Sequence, residues 1–149
     1  MAKVIDRLSS RPSGFVIICD FSPPRGSGTG WIEDARDLDA DFICVAYSPG
    51  KSVRLDSAIA AHLIRTEARK EVIFNLASRD MNRLAIQSHL LGAASLGLEN
   101  LVVLQGDGFS EREASKTGSA SGFSPAELIA GIKEMNRGLD YRGRKLDDP

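Results

Sequence analysis

The chain has 149 residues, 42% of them hydrophobic and 26% charged, enough apolar material for one domain with a substantial core. A formal net charge of -1 gives no basic footprint for nucleic acid or for an anionic membrane. No run of about 18 apolar residues occurs, so no segment reads as a membrane span, and a cytoplasmic protein is expected.

Cys19 and Cys44 each sit in an apolar, strand-like run, with no CxxC pair and no secretory leader at the start. Two buried structural thiols in a reducing compartment are expected, although the sequence alone leaves a disulfide open. The basic residues Arg137, Arg142, Arg144 and Lys145 read as a solvated tail.

In chain order, Ala2 to Leu8 reads as a short lead-in helix, broken by Ser9-Ser-Arg-Pro-Ser-Gly14. Phe15-Val-Ile-Ile-Cys19 is a continuous apolar run of strand length, which Asp20 closes. Ser22 to Gly30 must be a loop, because paired prolines and three close glycines continue neither a helix nor a strand. A short acidic helix is expected from Trp31 to Leu38. A second buried strand, Asp41 to Tyr47, ends at Ser48-Pro-Gly50.

Leu55 to Ala68 reads as a helix whose inward stripe is Leu55, Ile59 and Leu63, with Ala60 and Ile64 beside it. Glu71 to Asn75 is a third, shorter strand. Asp80 is placed to cap a helix from Met81 to about Leu96, with Gly97 as the residue that ends it. Leu101 to Leu104 is the fourth strand, and Gly106 to Gly122 a long loop. Ser124-Pro-Ala-Glu127 has the capping-box pattern with proline at the first helical position. The helix it opens is expected to bury Leu128, Ile129, Ile132 and Met135 and to end near Gly138.

The strand centres Val16, Ile43, Ile73 and Val103 are separated by 27, 30 and 30 residues, the spacing of a βα unit repeated four times. Buried strands alternating with amphipathic helices imply an α/β fold with a parallel sheet. Two architectures remain open on periodicity: a doubly wound sheet, or part of a (β/α)8 barrel. A whole barrel takes roughly 250 residues, so this chain has room for half.

In a parallel sheet the C-terminal strand ends share one rim, where ligands bind in α/β folds. That rim would receive Asp20, Tyr47, Asn75 and Asp107, with Arg79 and Gln105 close by. The bland alternative is that these are caps and turn formers, which Asp, Asn and Gly commonly are; four polar ends together favour a site. His62 and His89 fall inside helices with no second ligand at a useful spacing, so no metal site is expected. The glycines of Arg25 to Gly30 match neither the Walker nor the dinucleotide fingerprint. Ser22, Ser48 and Ser78 have no evident histidine partner for nucleophilic hydrolysis.

These residues resemble the methylenetetrahydrofolate reductase family. Asp20-Phe-Ser-Pro-Pro-Arg-Gly26 is similar to its first-strand motif. Asn75 to Ser88 and Leu90 to Gly97 resemble its third strand and helix, and Leu101 to Asp107 its fourth strand, which ends in Gly-Asp. The likeness continues through Glu127 to Lys133 and Asn136 to Asp140, covering nearly the whole chain. It implies a (β/α)8 barrel that holds a flavin, usually FAD and in some cases FMN, at the C-terminal rim. It also implies hydride transfer from NAD(P)H through that flavin to 5,10-methylenetetrahydrofolate, giving 5-methyltetrahydrofolate in one-carbon metabolism.

On the resemblance, Asp107 is the acid beside flavin and folate, and Tyr47, Asn75, Gln105 and Gly106 are further flavin contacts. Asp20 stands where the family usually has glutamate, the general acid that helps open the folate's methylene bridge. Three other positions depart from the family pattern: Ala46 replaces a common threonine, Asn75 a frequent histidine, and Gln105 an arginine or threonine. The likeness ends before any fifth strand, while the family barrel has four more units. A truncated product, one half of a split barrel, or a half-barrel that pairs with its own copy is therefore expected. The rival expectation is a non-catalytic half-barrel that binds or assembles with a partner chain. A third, an independent nucleotide-binding open sheet, lacks a phosphate fingerprint.

Overall fold

A computed structural model describes residues 2–10, 14–118 and 123–147. Part of the break expected at Ser9 to Gly14 (11–13) and part of the loop expected at Gly106 to Gly122 (119–122) lie outside the described residues. The four apolar runs become four strands: β1 (Ile18–Phe21), β2 (Phe42–Val45), β3 (Val72–Ala77) and β4 (Leu101–Leu104). They form one sheet in the order β1-β2-β3-β4. β1 and β2 pair in parallel, as do β2 and β3. Backbone bonds from Phe74 N to Asn100 O (3.1 Å) and from Ser78 N to Leu104 O (3.0 Å) advance in the same direction along β3 and β4.

This order decides between the two architectures the periodicity left open. A doubly wound sheet reverses its strand order at a switch point; here each strand is added beside the last. Four parallel strands with helices between them, in sequential order, are the arrangement of part of a (β/α)8 barrel.

β1 forms three residues later than the apolar run suggested. The Asp41 carboxylate accepts a hydrogen bond from Ile17 N (3.0 Å), and Asp41 N donates to Ile17 O (2.9 Å). That exchange fixes where pairing begins, opposing Ile18 to Phe42. Asp20 therefore lies within β1, and Phe21 ends it. Phe15, Ile17 and Ile18 are left 77%, 44% and 46% exposed along the edge of the sheet.

The chain divides into two compact units, Met1–Leu76 with Ala93–Val102, and Ala77–Gly92 with Val103–Pro149. In the first, β2 is flanked by strands on both sides and all four of its residues are buried. The lead-in helix α1 (Val4–Ser9) and the short helix α2 (Ile32–Arg36) form close to where they were expected. Helix α3 (Ser57–Leu63) is capped by Asp56, whose Oδ1 accepts from Ala58 N (2.9 Å) and Ile59 N (3.1 Å). It runs into a π-helical turn, Ile64–Ala68.

Of the inward face expected for this helix, Ala60 and Ile64 are buried as expected, but the Leu55-Ile59-Leu63 stripe is not. Ala58, Ala60, Ala61 and Ile64 are buried, and Ile59 is 43% exposed. Short side chains on this face let the helix backbone approach its neighbours closely, which outweighs burying the larger aliphatics. A separate cluster joins Phe42, Cys44 and Ile73, with Ala2, Val4, Val16 and Val102 packed against it and no residue of α2 or α3 taking part. Asn100 ties the N-terminal segment into this unit. Its Nδ2 donates to the carbonyls of Ala2 (2.9 Å) and Val72 (3.1 Å), and its Oδ1 accepts from Val4 N (3.1 Å).

Helix α4 (Arg83–Ser95) passes from the second unit into the first. Its cap is Asn82, whose Oδ1 accepts from Ala85 N at 2.9 Å, and not the expected Asp80. Gly97 adopts the left-handed conformation expected of it, with φ +71°. Within the second unit, the long loop after β4 contains a helix the sequence reading did not anticipate, α5 (Glu111–Thr117), opened by a capping box between Ser110 and Glu113. Helix α6 (Pro125–Met135) carries the expected Ser124–Glu127 capping box. It buries Leu128 and Met135 but leaves Ile129 43% exposed. No helix among the described residues is long and apolar enough to cross a membrane.

Candidate functional site

Pairing registers decide which side chains meet. Asp20 on β1 is opposite Cys44 on β2, and Cys44 is opposite Ile73 on β3. Alternate strand residues share a face, so Asp20, Cys44 and Asn75 form a polar row toward the strand C-termini. Ile18, Phe42 and Ile73 share the same face nearer the N-terminal ends. The Cys44 thiol donates to Asn75 Oδ1 at 3.3 Å. Ser57 Oγ on α3 donates to the Asn75 backbone carbonyl at 2.6 Å, fixing the end of β3.

The row sets the chemistry of the thiol. Burial pushes the Cys44 thiol above its ordinary value, and the Asp20 charge and a hydrogen bond to Asp20 push the same way, with Asn75 opposing. Cys44 is thus held as the neutral thiol, in register with Asp20 and within reach of Asn75 Oδ1. Cys19 is partly exposed, one residue along β1 and on the opposite face, and both cysteines are free. Both thiols were expected in the core; Cys44 alone is buried there.

Loops next to this row are pinned. Pro23 is fully buried, Arg54 Nη1 donates to its carbonyl at 2.7 Å, and Leu55 N donates to the Pro24 carbonyl at 2.9 Å. Phe21 and Trp31 pack ring on ring at 5.6 Å. The Pro-Pro segment after Asp20 is therefore held against the chain that leads into α3. Tyr47, two residues beyond β2, is half-buried and precedes a turn in which Ser48, Gly50 and Lys51 all have positive φ.

In the second unit, Gln105, Gly106 and Asp107 follow β4 and are all exposed. Gly106 has φ +83°, and a Cβ there would lie 3.1 Å from Arg79 Cβ and 3.3 Å from Ala77 Cβ, so the position requires glycine. Arg79 organises the loop beyond this turn. Its Nη1 donates to the Asp107 carbonyl at 3.4 Å, and its guanidinium lies 4.7 Å from the Phe109 ring centroid. Nε and Nη2 donate to the two carboxylate oxygens of Asp80 at 2.6 and 2.7 Å. With its side chain 11% exposed, Arg79 is a fixed strut beneath the loop that carries Asp107.

Of the residues expected at the strand ends, the structure brings Asp20 and Asn75 together through Cys44, and sets Gln105, Gly106 and Asp107 in one exposed segment. Sequence reasoning missed the part played by Cys44, which only the pairing register could reveal, and noted Arg79 without its contacts. His62 lies on α3 and His89 on α4, as expected. A cavity of about 450 Å³ in the second unit is lined by Ile86, Leu90, Phe123, Leu128, Met135 and Tyr141 among others. It includes none of the strand-end residues and is not the candidate site.

Comparison with curated proteins returns no match, and comparison with solved structures returns none either. A family model described as methylenetetrahydrofolate reductase matches residues 8–142, spanning β1 through α6. With the sequential parallel sheet and its polar strand ends, that match establishes that the chain belongs to the methylenetetrahydrofolate reductase family, an oxidoreductase family of folate one-carbon metabolism.

Proposed function

We propose that the chain is the flavin-binding and proton-donating half of a reductase that converts 5,10-methylenetetrahydrofolate to 5-methyltetrahydrofolate with NAD(P)H, in the cytoplasm. The observation that carries this reading is the polar row Asp20–Cys44–Asn75, seated at the C-terminal part of a sheet whose family reduces folates. Asp20 is the candidate proton donor to the folate nitrogen as the methylene bridge opens. Its carboxyl is solvent-exposed, so it can exchange protons with water between turnovers.

The donor set fits a flavin. The pyrimidine edge of the isoalloxazine alternates carbonyl acceptors with an N–H donor, and a side-chain amide such as that of Asn75 offers both kinds of partner. Tyr47 offers a ring to stack on and a hydroxyl, and the exposed Gln105-Gly106-Asp107 segment offers backbone groups and a carboxylate. FAD, or FMN in its place, would supply the two-electron carrier between nicotinamide and folate. Around it this chain's residues bind, orient and hold charge. Asp107, on the loop braced by Arg79, is the carboxylate proposed to orient the pterin.

A second reading is favoured by the exposed apolar residues Phe15 and Ile17 ahead of β1 and Ile18 at its start, on the edge strand of the sheet. An apolar open strand edge calls for a covering strand. On this reading the chain is a non-catalytic half-barrel that assembles with a complementary chain or with its own copy. One experiment separates the two. The purified protein is given FAD, alone and with any polypeptide that co-purifies, and its visible spectrum is followed as NADH and then methylenetetrahydrofolate are added. A bound flavin bleached by NADH and recoloured by the folate supports the reductase. A protein that binds no flavin in either state, while forming a stable larger assembly by mass, supports the assembly subunit.

A further inference from the structure

The polar row has one feature the proposed reduction leaves unexplained. A single thiol hydrogen faces two acceptors. Cys44 is 8% exposed, in register with Asp20 on one side, and its Sγ lies 3.3 Å from Asn75 Oδ1 on the other. A thiol has one proton to donate, so it can serve only one of these oxygens at a time. Around it, β1 contributes Asp20 as the titratable group, β3 contributes Ile73 and Asn75, and the N-terminal segment contributes Ala2 and Val4. Asp20 is the charged group that acts on the thiol.

We propose that Cys44 is a positioning residue for Asp20, its S–H turning from Asn75 Oδ1 to the Asp20 carboxylate when Asp20 gives up its proton. This rests on the reading of Asp20 as the proton donor. While Asp20 is a neutral acid it is the weaker acceptor, and the thiol is taken by the Asn75 carbonyl oxygen. Once the proton has passed to the substrate nitrogen, the new carboxylate is the stronger acceptor, and the thiol swings to it. No bond to sulfur is made or broken and the thiol keeps its proton. The row therefore stabilises the conjugate base formed during proton transfer without requiring a rearranged backbone. Holding Asn75 in place is the part played by Ser57, through its 2.6 Å bond to the Asn75 carbonyl.

The S–H stretching band reads this directly. The sequence has two cysteines, so a Cys19→Ser background leaves Cys44 as the sole thiol. The band is expected at lower frequency in this background than in the same protein carrying Asp20→Asn. A band identical in the two proteins, or one that responds to Asn75→Ala but not to Asp20→Asn, overturns the proposal.

Turnover of the flavin-loaded assembly provides the second arm. Cys44→Ala is expected to lower it about tenfold, the loss of one hydrogen bond to a charged group, and Cys44→Ser, which restores a donor, to recover most of it. Unchanged turnover in Cys44→Ala overturns the positioning role even if the band moves. Unchanged turnover in Asp20→Asn instead sinks the proton-donor reading and leaves the band result standing, so the two failures are told apart.

Discussion

A Cβ on residue 106 would lie 3.1 Å from the Cβ of Arg79, and glycine is what permits that approach. The contact matters because the same arginine reaches the Asp107 carbonyl and the Phe109 ring. The turn out of β4 and the strut beneath it are one arrangement. Gly106→Ala should therefore cost about 1–3 kcal/mol, from the left-handed backbone at φ +83° and from the crowding together. Urea unfolding of the two proteins checks this. A midpoint unchanged by the substitution would mean that the turn relaxes freely and that Arg79 braces nothing.

Asn100 predicts a larger loss from a position remote from the strand C-termini. The side chain is buried and makes three hydrogen bonds, to Ala2 O, Val72 O and Val4 N. Asn100→Ala would leave those backbone groups without their partner and should destabilise the chain by about 2–4 kcal/mol. Amide exchange at Val4 should rise with it. Global destabilisation without faster exchange at Val4 would show that the N-terminal segment is anchored by other contacts.

How much of this was legible in the sequence depended on what each residue packs against. β2 and β4 were readable because a continuous apolar run in a parallel sheet has few alternatives. β1 was read three residues early because apolarity alone does not say where a partner strand begins, and the exchange between Ile17 and Asp41 does. The inward face of α3 was read only in part, because large aliphatics carry the periodic signal, while Ala58 and Ala61 are buried beside the expected Ala60. α5 was hidden by its polarity, although Ser110 and Glu113 had the spacing of a capping box. At the site, the polar ends of the strands could be named from sequence. That Asp20 and Asn75 meet at Cys44 could not, because a register is a relation between strands that no single run encodes.

The thiol also makes stability depend on pH in a definite direction. Burial first, and then the Asp20 charge and hydrogen bond, hold the folded-state value of Cys44 above that of the unfolded chain. Its contribution is then fully present below the unfolded thiol value and is lost as pH rises through the folded one. Urea midpoints followed into the alkaline range should fall more steeply for the native chain than for Cys44→Ala, with Asp20→Asn between them because one cause of the shift is gone. Parallel curves for all three would show that the thiol titrates alike in both states.

The proposed role of Asp20 falls in the second half of the reaction, and it is most directly tested there. In the flavin-loaded assembly, stopped-flow absorbance can follow reduction by NADH and reoxidation by methylenetetrahydrofolate as separate events. Asp20→Asn is expected to leave the NADH step within about threefold of the native rate, since that step needs no proton at the folate. Reoxidation should slow by about 10²–10⁴, the usual worth of a positioned general acid. Reoxidation at the native rate in Asp20→Asn would contradict a proton donor at this position.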